Sequence, residues 1–563
     1  MDTLSLATLQ TIAWSKLILL AGFLLCLYLI RYQAKRPWVF SLSASLIFSG
    51  FYYVLTKNFQ TFWWGNNGDE IFIASYLTQV LQSNPLNDFY YHQLPNFYPP
   101  LYFWLTGLIS RLVSANAVSA GKIGVATTLG LWFIGTYLWV QIYQRYLRQS
   151  ENETYSPWLW FIVPLIFFFL IDFPDLILKP YEAFSALTLV LLVGLINQAF
   201  TDFRWHYKHY LFFIVSGGLN FLTFYFWWFL AIPALLILVW FSKEKLKNLI
   251  RLAIIGLGIF LISAIYLVPL IISFTTGVEN WQAKFFVPAD LHTFLPFGSI
   301  TWQVPLLILG IFGLIFYRRE KIIKANLVLL IVCYLYQFVN LIVFIAGRNP
   351  VLSAKPFLFL GSATLAVGST YAIIELWKNH LAPISPDKQL VAGVITLILT
   401  LPLWPMSNFI DQPKILEQIE HDQNKPSAYF LAEKIKTNIS DYQFKTWLTS
   451  GIPEINLYLP IHYYIAHNPH FSHQAAKYSQ RLVNIEKLST SSSSDFEILL
   501  NQAKIDALLL YKLPDSQYYP IFFWQDNYPN GGRETQINIL KENVEKLNWE
   551  QAYQDSEWII YLK

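Results

Sequence analysis

Charge is what this sequence has least of. Only 13% of its 563 residues are charged, against 55% that are hydrophobic. Soluble domains carry about 25% charged residues. That shortfall, with a mean hydropathy of +0.40, excludes an ordinary soluble domain for most of the chain. Cysteine is almost absent as well. Cys26 and Cys333 both fall inside apolar runs, which excludes a disulfide framework and a cysteine-ligated metal. The first apolar run lacks a basic leader and a convincing cleavage site, so it reads as a retained span and not a signal peptide. No repeat at a solenoid period is present. The net charge is only +4, and the basic residues stand in short clusters between apolar runs. That arrangement orients spans and gives no footing to a nucleic-acid partner.

What the chain has in quantity is aromatic side chains, 18% of it, with 21 Trp and 34 Tyr. Such rings favour the boundary between membrane and water. Apolar runs near the length a bilayer needs recur from Ala13–Ile30 and Trp38–Thr56 to Phe357–Trp377 and Leu390–Trp404. Counting them gives about twelve spans. The basic clusters Arg31–Arg36, Lys243–Arg251 and Arg318–Lys324 mark the cytoplasmic side. The loop 57–117 is then extracytoplasmic, with a short interfacial helix after Asn67 and a second, Leu101–Val113, opened by Pro99-Pro100. Tyr210–Phe241 is long enough for a helical hairpin, with its outer tip at Asn220–Tyr225. After Met406 the composition turns polar, and about 150 residues suffice for one domain. Strands are expected at Ala507–Leu513, Ile521–Trp524 and Trp558–Leu562, a helix over Ile415–Ile439 and a flexible loop at Ser491–Ser494. The expected architecture is an α-helical polytopic membrane protein. It has an extra N-terminal transmembrane helix (1–37), a transmembrane catalytic domain (38–408) and a small extracytoplasmic α/β domain (409–563).

Chemistry is expected first at Trp63-Trp64-Gly65-Asn66-Asn67-Gly68-Asp69-Glu70. Asn67 with Glu70 three residues on fits a capping box, and helix capping and catalysis account for it equally well. Three features tilt the reading to catalysis. The carboxylates are doubled, Gly68 permits close approach, and the aromatic side chains of Trp64 and Tyr98 suit sugar rings. Asp69 is the expected base, with Glu70 beside it. The outward cations Lys179, Lys284, Arg348 and Lys355 come second. Snorkelling explains most such residues. Lys355, hemmed in by Pro356 and Phe357, and Arg348 nevertheless suit a lipid phosphate. Asp172, Asp175, Tyr181 and Glu182 are expected to bind sugar or acceptor hydroxyls. His462, His467, His470 and His473 match no firm ligand spacing and are read as structural.

The acidic first loop, the Tyr98-Pro99-Pro100-Leu101-Tyr102 helix start and Lys179-Pro180-Tyr181 together resemble the GT-C glycosyltransferases, which use polyprenyl-phosphate sugars. His473–Tyr478, Arg481-Leu482, Asp506–Leu509 and Asp526–Gly531 are most similar to the galactan arabinofuranosyltransferase (AftA) family. That resemblance implies an inverting transfer of an arabinofuranose-like pentofuranose from a polyprenyl-phosphate donor to a cell-envelope glycan, on the outer face of the plasma membrane. It implies Asp69 as base, with Lys179 joining Lys355 and Arg348 at the donor phosphate. Where the family pattern carries an amide beside the aspartate, this chain has Glu70, which opens a divalent-metal or hydroxyl site near Asp69. A mannosyltransferase-like enzyme with a hexose donor is the alternative. A lipid-linked sugar transporter stands behind it, since no charges cluster mid-span.

Overall fold

The computed structural model describes residues 6–33, 36–57, 62, 68–146, 158–171, 173–202, 205–279, 303–348, 350–381, 427–526 and 532–563. Among the described residues fifteen α-helices precede the polar C-terminal part: α1 (Leu6–Gln33), α2 (Pro37–Thr56), α3 (Asp69–Gln82), α4 (Leu101–Leu112), α5 (Ala117–Gly130), α6 (Thr136–Tyr146), α7 (Leu159–Leu170), α8 (Phe173–Leu178), α9 (Pro180–Asp202), α10 (Tyr207–Thr223), α11 (Trp228–Trp240), α12 (Lys245–Phe274), α13 (Val304–Phe316), α14 (Lys321–Ile345) and α15 (Ser362–Leu376). Among the described residues six helices are long and apolar enough to cross a membrane, or seven if a bent pair counts as one span. Leu159–Leu170 and Val304–Phe316 are apolar but shorter. The expected last span, Leu390–Trp404, and the boundary at 408 lie outside the described residues.

Local sequence explains the breaks. The bent pair is α10 and α11, which meet at 118°. Phe224 between them is extended, at φ −163° and ψ 100°, as the expected hairpin tip requires. Helix α9 starts with Pro180, a residue suited to a first helical turn because its missing N–H would be unbonded there anyway. Helices α13 and α15 approach through glycine. A Cβ at Gly313 would overlap the carbonyl of Gly368, and one at Gly368 the carbonyl of Gly310. Small residues let helix backbones close up in this way. Gly313→Ala is therefore expected to cost about 1–3 kcal/mol of stability through overpacking. The check is the denaturation midpoint in detergent, and a midpoint equal to wild type would sink the argument.

The C-terminal part holds a five-stranded sheet in the order β2-β1-β3-β7-β6 and a separate β4-β5 ribbon. The strands are β1 (Thr446–Thr449), β2 (His462–Tyr463), β3 (Ala507–Tyr511), β4 (Tyr518–Asp526), β5 (Gly532–Leu540), β6 (Glu550–Gln554) and β7 (Trp558–Leu562). Strand β1 runs parallel to β2 and β3, while β7 is antiparallel to both neighbours. Strands β3, β4 and β7 fall where hydrophobic runs predict them. Of the expected loop Ser491–Ser494, Ser491 and Ser492 connect two helices, while Ser493 and Ser494 open the second of them. Ser492 caps a helix, Ser493–Ala503, by accepting a hydrogen bond from the Asp495 N–H at 3.3 Å, a role that suits serine.

This domain seats on α3 and on the connection 83–100. Thr78 Oγ1 donates to the Leu457 carbonyl (2.9 Å) and Gln82 Nε2 to that of Tyr458 (3.1 Å). In the other direction, Asn456 Nδ2 donates to the Phe89 carbonyl (3.2 Å) and the Tyr463 N–H to that of Tyr90 (2.8 Å). The Tyr91 and Ser472 hydroxyls meet at 2.7 Å. The connection itself is held by Asp88, whose carboxylate accepts from the Tyr90 and Tyr91 N–H groups.

Candidate active site

Helix α3 begins at Asp69. Its cap position is Gly68, at φ +52°, with no side-chain cap. The Asn67 cap expected from sequence lies outside the described residues, as do Trp64, Asp172 and Lys284. Gly68 supplies a backbone angle that other residues rarely adopt. Asp69 thus starts the helix, where the dipole favours a carboxylate.

Two ion pairs stand side by side here. Lys179 Nζ lies 2.9 Å from Asp69 Oδ2, both side chains about one-third exposed at 27% and 32%. Lys355 Nζ lies 2.8 Å from Glu182 Oε1, and this pair is buried. Lys179 precedes α9 and Glu182 sits in its first turn, so one helix start presents a cation and an anion together. Lys355 follows Leu352, which adopts φ +46°, a left-handed value uncommon outside glycine. The Lys355 ammonium also sits over the Phe224 ring at 5.0 Å, a contact made possible by the break between α10 and α11.

Tyr98 ties the pairs to the interfacial strap. Its hydroxyl donates to Glu182 Oε1 at 3.2 Å, and the Tyr181 hydroxyl donates to Tyr98 at 3.5 Å. The other oxygen of Glu182, Oε2, is buried and has no partner among the described residues, an expensive state for a carboxylate unless a ligand completes it. The electrostatics follow from these neighbours. Burial works to raise the Asp69 carboxyl, but Lys179, with help from Lys355 and His470, holds it below the usual carboxylate range. Burial works against the Lys179 charge, and Asp69 and Glu182 overcome it and raise its ammonium above the ordinary lysine value. Burial and the nearby Lys179 push Lys355 down, and Glu182 opposes them.

The structure therefore brings together Asp69, Lys179, Lys355, Glu182, Tyr98 and Tyr181. Asp175 stands close enough to Lys179 for its charge to be felt. Two expected residues stand apart. Glu70, only 2% exposed, lines a small internal cavity with Tyr52, Tyr102 and Gly121, and its charge acts on Lys122 of α5. Consecutive helical residues point about 100° apart, so paired carboxylates in sequence do not make a paired site in space. Arg348 is exposed, and no ion pair or side-chain hydrogen bond links it to the cluster among the described residues. Among those residues there is also no group of three metal-binding side chains. With Asp69 held by Lys179 and Glu70 turned inward, the two carboxylates do not fit a shared divalent ion.

Sequence reasoning set His470 aside. The turn Pro469–Phe471 places it where Asp69, Lys179 and Lys355 all act on its charge. The neighbouring Phe471 ring stacks on Phe72 of α3 at 5.8 Å. Burial, more than these charges, pushes the imidazole down to about 4. Four histidines close together were the one sequence trace, and spacing could not select among them.

Below the charged groups an apolar groove of about 850 Å³ runs between α4, α5, α6, α9 and α10. Tyr181 and Thr223 line one end and Lys208 the other. From Lys208 to Thr223 along α10 is roughly 22 Å at 1.5 Å per residue.

A family model described as arabinofuranosyltransferase N terminal matches residues 3–401. A galactan 5-O-arabinofuranosyltransferase of Mycobacterium leprae is 36% identical over 77 residues, a match spanning 12% of this chain and 12% of that protein. Among solved structures, the apo oligosaccharyltransferase of Archaeoglobus fulgidus is similar at 11% identity and a TM-score of 0.45, over 90% of this chain and 74% of that one. Apo ArnT from Cupriavidus metallidurans is similar at 12% identity and a TM-score of 0.46, over 96% and 98%.

Proposed function

From the premise that the chain belongs to the arabinofuranosyltransferase family, we propose that it is an inverting membrane glycosyltransferase. It moves a pentofuranose from a polyprenyl-phosphate donor to a glycan acceptor on the outer face of the membrane. The observation that carries this reading is a long apolar groove whose lining includes Tyr181, a side chain joined through Tyr98 to the Glu182–Lys355 pair that stands beside Asp69–Lys179. A polyprenyl phosphate needs that combination: cations for the head group and a dry channel for the tail. A free sugar nucleotide would have no use for the groove.

In the reaction the acceptor hydroxyl attacks the anomeric carbon while the bond from that carbon to the phosphate oxygen breaks. The hydroxyl proton passes to Asp69, and polyprenyl phosphate leaves as an anion steadied by Lys179 and Lys355. The resting pairs give this a sequence. While bonded to Lys179, Asp69 is a poor base. When the donor phosphate draws Lys179 away, the carboxylate loses its stabilising partner and its basicity rises. The base is armed only with donor in place. The open buried oxygen of Glu182 suits a sugar hydroxyl, and Tyr98 and Tyr181 wall the same space.

The purified full chain should transfer label from a polyprenyl-phosphate pentofuranose, and not from hexose donors, to a galactan oligosaccharide. Transfer from a hexose donor alone would move the assignment to a mannosyltransferase-like enzyme. Accelerated movement of the donor between leaflets without transfer would make the chain a transporter. The groove has its own test. Val215→Trp fills its wall and removes room for about two CH₂ groups, so it is expected to raise KM about tenfold for the long-chain donor. A short isoprenoid analogue should lose much less. Equal losses for both donors would remove the tail from the groove.

A further inference from the structure

We propose that a second cavity, between the connection 83–100 and α12, is a subsite for one sugar ring of the acceptor, remote from the bond-forming centre. This rests on the reading of the acceptor as a glycan. The cavity encloses about 210 Å³ and is lined by Asn87, His92, Gln93, Asn96, Trp104 and Tyr266 among others. It is smaller than the roughly 300–1,000 Å³ of sites for drug-sized molecules, which suits one ring and not a chain.

Its chemistry is that of a neutral, hydroxyl-rich ligand. Among the described residues no lysine or arginine lines it, so a lipid phosphate finds no cation among them. The two large aromatic side chains are fixed by their polar tips. Trp104 Nε1 donates to the Pro85 carbonyl at 3.1 Å, and the Tyr266 hydroxyl to that of Phe97 at 2.7 Å. With the tips occupied, the rings have only carbon surface to offer, and the apolar faces of sugars pack on such surface. Amides supply the polar complement. Asn96 is 3% exposed, and its Nδ2 donates to the same Pro85 carbonyl at 2.7 Å. Its Oδ1 is buried and has no partner among the described residues. A buried acceptor left in that state calls for a donor from outside, and a sugar hydroxyl is one. Asn87 and the exposed Gln93 add further amides.

Position links this cavity to the reaction. Asn96 and Tyr98 are two residues apart on one strap, at most about 7 Å along the backbone, and the Tyr98 hydroxyl touches Glu182. An acceptor several rings long can hold one ring here while its reactive hydroxyl lies at Asp69. The longer the acceptor, the more readily it fills both places at once.

Trp104→Ala is the obvious variant but removes part of the core. Leu86→Trp, at a half-exposed position (45%) lining the cavity, blocks it from the surface, and Gln93→Ala trims its rim. Transfer is measured to a galactan hexasaccharide and to the disaccharide. Both variants should lower the ratio of kcat/KM for the long acceptor over the short one about tenfold, mainly through KM, and should weaken hexasaccharide binding measured calorimetrically without donor. An unchanged ratio overturns the subsite. So does retention by the wild-type protein of a phospholipid, and not the hexasaccharide, that Leu86→Trp abolishes in native mass spectrometry. Hexasaccharide binding that Leu86→Trp removes, in a protein that transfers from no polyprenyl donor, would support the subsite and refute the transferase reading instead.

Discussion

Asp69→Asn lowers transfer by about 10²–10⁴-fold, the range general-base catalysis supplies, and leaves the protein folded. The substitution keeps the shape of the side chain and removes its capacity to hold a proton. Asp69 is about one-third exposed, so Lys179, left without its partner, can turn to solvent and folding is spared. The same geometry fixes the pH profile. Lys179 and its neighbours depress the Asp69 carboxyl against the pull of burial, so it stays ionised to lower pH than a free aspartate. The acid limb of kcat/KM for the free enzyme therefore lies below the usual value of about 3.9. The sign carries over to stability. A depressed carboxylate contributes above its unfolded pKa, and that contribution is lost only as pH falls through the lower folded value. Normal turnover by Asp69→Asn in the radiolabel assay would falsify the assignment.

The second large effect belongs to Lys355 and Glu182. Lys355→Met leaves the fully buried Glu182 carboxylate with, among the described residues, only the Tyr98 hydroxyl bonded to it. Breaking a buried pair in this way costs about 3–5 kcal/mol, and losing a cation at the leaving phosphate costs a further 10²–10³-fold in rate, roughly. Loss of activity in this variant alone would be ambiguous. The double variant Lys355→Met with Glu182→Leu separates the two contributions, because replacing a buried pair by apolar side chains is often neutral for stability. It should unfold near the wild-type midpoint and still fail to transfer. Recovery of transfer along with stability would reduce the pair to a structural role.

The sequence displayed the membrane architecture plainly, because long apolar runs and basic clusters are local features. The helices over Trp38–Thr56, Val304–Phe316 and Phe357–Trp377, the hairpin break at Phe224 and three of the strands fall close to where the residues alone put them, whereas α12 and α14 start earlier, inside their basic clusters. Asp69, Lys179, Lys355, Glu182, Tyr98 and Tyr181 were each marked by their position at a span end or a helix start. Their partnerships were not readable. Asp69 and Glu70 are neighbours in the chain but face different surroundings, whereas Glu182 and Lys355 are far apart in the chain and bonded in space. Arg348 is near Lys355 in sequence yet exposed, with no side-chain bond to the cluster among the described residues. His470 carries no local mark of its setting, since what brings it to Asp69 is the seating of a whole domain.

That seating has a consequence for how such chains can diverge. Four of the bonds joining the C-terminal domain to α3 and its connection end on main-chain carbonyls. Every residue type carries a carbonyl, so the accepting side of the seam tolerates most substitutions, while its specificity rests on the donors Thr78, Gln82 and Asn456. Relatives that have drifted far apart in amino-acid identity can keep the same joint. A C-terminal domain grafted from a distant member that keeps those three donors' counterparts should dock without redesign of the membrane half.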